Sequence, residues 1–139
     1  MSGVLLGIQV LLAAVMLLSG LAKTFLSRAQ LLQSGQSGMT DLALPTIRFI
    51  GVSELAGALG VTLPWWTGVW PWLTPLAALA FAVVMLLAFR VHEGLRRRAP
   101  TDAVARREAR NRVTNVVLCA LSLLLAVGRS LELTAGRAG

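Results

Sequence analysis

The chain has 139 residues, enough for one domain, and its 56% apolar and 14% charged composition with mean hydropathy +0.74 lies outside the balance of soluble domains. Thirteen Lys and Arg residues against six Asp and Glu give net +7, yet most of the excess gathers in one short segment between apolar runs. That is the signature of a cytoplasmic loop and excludes a nucleic-acid surface. Cys119, the single cysteine, lies in an apolar run and excludes an internal disulfide, a dithiol redox centre and a cysteine-rich metal site, so no metal centre is expected.

The first predicted span is Val4 to Leu26, broken only by Gln9, Ser19, Lys23 and Thr24. At 1.5 Å per residue it is long enough for a hydrocarbon core of roughly 30 Å. A cleaved signal peptide is the rival reading, with Ser19 to Ala22 supplying small residues, but no basic residue precedes the apolar run. Arg28 to Ala43 is polar and is expected to extend the first helix through Leu31 and Leu32 before turning. The second span runs from about Pro45, which suits a helical first turn, to Leu63, and is expected to stop at Pro64. Trp65, Trp66, Trp70 and Trp72 then fall in one uncharged connection and read as an interface belt, where the ring is apolar and its N–H stays wet.

The third span covers about residues 71–91, with His92 and Glu93 at its exit. A basic loop over residues 96–112 holds seven arginines against Asp102 and Glu108. Thr101 or Asp102 can cap a new helix there that continues into the fourth span, and Glu108 and Arg112 have the favourable four-residue spacing. The fourth span is about residues 113–127, and Arg129, Glu132 and the short tail read as a frayed polar terminus. The expectation is an all-α polytopic membrane protein, a four-helix bundle in one domain. The loops joining spans one to two and three to four carry the basic residues, which places both in the cytoplasm and both termini outside, in a bacterial plasma membrane.

Glu54 is the residue that demands a partner, because an ionised carboxylate inside hydrocarbon is costly unless paired. Counting from Arg28 and Arg48 at the cytoplasmic edge, Lys23 lies five residues in and Glu54 six, roughly 7 to 9 Å at helical rise. The two occupy one level on antiparallel neighbours, and His92 and Asn115 approach the same edge from spans three and four. These four form the candidate intramembrane polar cluster, either a pocket or a structural pair that fixes helix order. Gly20, Gly51, Gly57 and Gly60 flank it and would let helix backbones approach.

The order of these pieces resembles the DoxX-like family of small four-span membrane proteins. The resemblance is carried by Ser19-Gly20-Leu21-Ala22-Lys23, by the segment Gly51 to Gly60 around Glu54 followed by Pro64, by Leu73 to Ala78, and by His92. It covers about Val4 to Gly128 and carries the family's Lys, Glu, Pro and His onto Lys23, Glu54, Pro64 and His92. It implies a role beside membrane-associated redox complexes with quinone, or in assembly of other membrane proteins. One cysteine and one histidine cannot build a dithiol centre or a bis-histidine haem, so quinone is the one cofactor the resemblance suggests, and no catalytic constellation is visible. The leading expectation is a non-catalytic subunit or assembly partner, in contact with lipid and with other membrane proteins or with itself. The alternatives are a quinone-linked redox component and a small proton-coupled transporter using Glu54. The transporter reading is weakened by Lys23, since a neighbouring positive charge holds a carboxylate ionised.

Overall fold

A computed structural model describes residues 2–137. Four long helices, α1 (Ser2–Phe25), α3 (Leu44–Thr67), α4 (Leu73–Arg97) and α5 (Asp102–Arg137), carry the fold. All four are long and apolar enough to cross a bilayer, and no strand occurs among the described residues. The protein is an all-α integral membrane bundle. A short α2 (Arg28–Gln33) and a 3-10 turn (Ser37–Met39) fill the first connection.

The helices close in the ring order α1, α3, α4, α5, with the antiparallel pairs α1/α3 and α4/α5 most extensively packed. Leu12, Val61, Ala78 and Leu125 are fully buried at the centre, joined by Met16, Phe81 and Met85. Large apolar side chains such as Leu18, Phe49, Leu59 and Leu87 point outward instead. In lipid those outward groups lose nothing by exposure, so close van der Waals packing and polar contacts between helices must hold the bundle together.

Three boundaries differ from the sequence expectation. The first connection does not extend α1: Ser27 starts a separate helix through a reciprocal cap, its Oγ accepting from Gln30 N at 3.3 Å while Gln30 Oε1 accepts from Ser27 N at 2.8 Å. The second helix does not stop at Pro64 but passes through it to Thr67, where Gly68 in the left-handed conformation (φ 71°) ends it. Proline removes one backbone donor, a loss that membrane helices tolerate when neighbours cover the site, and Pro64 is buried. Finally, α5 is one uninterrupted helix of 36 residues, about 54 Å long, capped at Thr101, whose Oγ1 accepts from Val104 N at 3.3 Å. Its run from the basic segment into the 113–127 span is as expected, and the difference lies at its far end, where Arg129 and Glu132 belong to it instead of to a frayed tail. Ala138 and Gly139 lie outside the described residues.

Candidate functional site

At the end of the bundle bearing the first connection, α1 and α3 cross almost backbone to backbone. A Cβ on Gly51 would stand 2.6 Å from Thr24 Oγ1 and 2.9 Å from the Gly20 carbonyl, and one on Gly20 would stand 2.8 Å from the Gly51 carbonyl. Two facing glycines are therefore what lets Lys23 and Glu54 meet across this crossing. Lys23 Nζ donates to both carboxylate oxygens of Glu54 at 2.9 Å, also contacts Ser19 Oγ, and both charged side chains are buried. Arg48 closes the same joint by donating from Nη1 to the Lys23 carbonyl at 2.7 Å. Gly57 and Gly60 lie further along α3, the first beneath the flexible end of Met16 and the second against Ala77 of α4.

The other two cluster candidates are not joined to this pair by any hydrogen bond among the described residues. His92 Nδ1 stands 2.6 Å from Glu108 Oε2, linking the end of α4 to the start of α5. Asn115 is buried on α5 and its Nδ2 has no hydrogen-bond partner among the described residues. Glu108 turns inward to His92, so the anticipated pairing with Arg112 does not form; Arg112 reaches across to Glu93 at 2.9 Å.

Glu93 also accepts from Arg96 at 3.1 Å and Arg97 at 2.6 Å. Both Glu93 and Glu108 lie beyond the apolar runs. Hydrogen bonds from Arg96 and then Arg97, with Arg112 adding its charge, hold the Glu93 carboxyl at about 2 against an ordinary 4.5. Burial alone would raise Glu108, but the hydrogen bond and charge of His92, with Arg107 beside it, carry it below the ordinary carboxylate range.

A second buried polar joint lies at the opposite end of the bundle. Gln9 of α1, fully buried, donates from Nε2 to the Val61 carbonyl of α3 at 2.6 Å. Its Oε1 accepts from Arg129 of α5 through Nε at 3.1 Å and Nη2 at 2.6 Å. Arg129 also reaches Glu132 at 2.6 Å, and its guanidinium lies 4.1 Å from the ring centre of Trp65. Trp66, Trp70 and Trp72 project outward, whereas Trp65 is half-buried against this cation. The signal that marks Arg129 as interior is its position on the buried stripe Asn115, Leu118, Ser122, Leu125, Arg129, spaced alternately by three and four residues.

The arrangement gives each buried charge an opposite charge or a carbonyl acceptor on another helix. Chemically it can lock helix order at both ends of the bundle. No curated protein and no solved structure is significantly similar to the chain. A family model described as the DoxX-like family matches residues 7–127, a range that contains Gln9, Lys23, Glu54, His92 and Glu108, and the chain belongs to that family.

Proposed function

We propose that this DoxX-like membrane protein is a non-catalytic subunit or assembly partner within a larger membrane complex. The observation that carries the reading is the mutual neutralisation of Lys23 and Glu54 by two 2.9 Å contacts at a glycine crossing. A charge pair that close favours one particular helix arrangement, as a structural role requires. The outward faces meanwhile present Phe25, Phe49, Leu59 and Leu87 to lipid or to neighbouring spans. The same reading puts the arginine-rich end of the bundle in the cytoplasm of a bacterial cell and both termini outside.

The test is purification from native membranes at native expression level in mild detergent, with the Glu54→Gln variant alongside. One defined partner in fixed stoichiometry is expected, and it should be diminished by Glu54→Gln because the bundle loosens. A single-chain particle whose reconstituted vesicles show substrate-dependent proton flux, abolished by Glu54→Gln, would replace this reading with transport. A bound quinone released from the purified protein would replace it with redox work.

A further inference from the structure

The arginines that end α4 are only partly taken up by Glu93. Arg90 and Arg98 are exposed and make no ion pair among the described residues. Between them lies an open groove of about 410 Å³ lined by Phe89, Arg90, Glu93, Gly94, Arg97 and Arg98. Gly94 leaves it clear, since a Cβ there would meet nothing within 4 Å. A second groove of about 310 Å³ includes Phe89 of α4 with Arg112, Val113, Val116 and Val117 of α5. Arg112 stacks on the Phe89 ring, 4.8 Å from its centre. Phe89 is thus the shared wall between a basic groove and a mainly apolar one, at the level where the apolar runs give way to arginines.

An occupant matching both sides needs an anionic head and an aliphatic tail. The geometry points to an anionic phospholipid, its phosphate among Arg90, Arg97 and Arg98 and an acyl chain along Val113, Val116 and Val117. Guanidinium groups match phosphate oxygens in pairs, and basic pockets beside membrane helices suit anionic headgroups. The carbonyl end of α4 carries partial negative charge at this point. The side chains alone must then supply the attraction, which makes binding sensitive to salt.

The test is native mass spectrometry of the detergent-solubilised full chain titrated with phosphatidylglycerol or phosphatidylcholine of identical acyl chains. The anionic lipid should bind about 25-fold more tightly, from an expected factor of about five for each of Arg90 and Arg98, the charge of Arg97 being offset by its ion pair with Glu93. Arg90→Gln with Arg98→Gln, at exposed positions free of ion pairs, should bring the two lipids to parity without moving the melting temperature, and the corresponding double lysine variant should keep most of the preference. Val116→Trp, which fills the apolar side, should weaken both lipids. Equal binding by the unaltered protein, or a preference that survives the double glutamine change, would overturn the proposal. So would displacement of phosphatidylglycerol by inorganic phosphate, against chloride at equal ionic strength, together with no effect of Val116→Trp, since that reassigns the groove to a free anion.

Discussion

Lys23 and Glu54 would each be a liability alone in a membrane helix, and each is tolerated because the other is 2.9 Å away. Removing one partner strands a buried charge, which costs about 3 to 5 kcal/mol, whereas replacing both with apolar groups of similar size is often close to neutral. Lys23→Met and Glu54→Leu are each expected to lower the stability of the detergent-solubilised protein by about that amount, with the double variant recovering most of it. Unfolding by increasing denaturing detergent measures this directly, and strictly additive losses would show that the two charges are not coupled. The same logic applies more mildly to Gln9, whose side-chain oxygen loses both of the hydrogen bonds it accepts from Arg129 in Arg129→Leu. A neutral amide left unpaired costs about 1 to 3 kcal/mol, and Gln9→Leu in the same chain should restore part of it.

Helix elements show how far the sequence could be read. Four apolar runs and one basic connection are composition signals, and they survive any detail of packing, so the bundle and the level shared by Lys23 and Glu54 were legible. Arg129 was not, because its distance from the end of an apolar run reads as exit from the membrane, while the stripe of buried positions it occupies emerges only when α5 is followed past Val127. Glu108 pairs elsewhere for a related reason: four-residue spacing to Arg112 favours a pair within the helix, but an inward-facing Glu108 meets His92 and a half-buried Arg112 meets Glu93. That exchange makes the α4–α5 hairpin sensitive to acid. Glu93, lowered from an ordinary 4.5 to about 2, contributes stability that is present above about 4.5 and disappears as the pH falls through about 2. The melting temperature of the unaltered protein should therefore exceed that of Glu93→Gln at pH 7, with the gap closing between about pH 4.5 and 2. A gap of constant size across that range would show that Glu93 acts by packing and not by charge.

For the whole molecule, the two buried polar joints lie on either side of a mainly apolar middle. Gln9 and Lys23 are fourteen residues apart on α1, roughly 21 Å along the helix, so both joints fit inside a core of roughly 30 Å near its opposite boundaries. The charge is far from symmetric between those ends. Lys23, Arg28, Arg48, Arg90 and the seven arginines from Arg96 to Arg112 lie toward one end, eleven of the thirteen basic residues, and only Arg129 and Arg137 lie toward the other. Under the proposed orientation, such a bias would keep the basic loops in the cytoplasm during insertion and oppose a mixed orientation. A periplasm-active reporter fused after Gly139 is expected to be active in a bacterial host, and the same reporter inserted between Ala99 and Pro100 is expected to be silent. Moving the bias should move the topology: replacing the seven arginines from Arg96 to Arg112 with glutamine leaves Lys23, Arg28, Arg48 and Arg90 as the inner charge and should give a measurable inverted fraction. Activity of the insertion in the unaltered chain, with silence of the terminal fusion, would reverse the orientation and would place the arginine groove beside Phe89 at the outer leaflet.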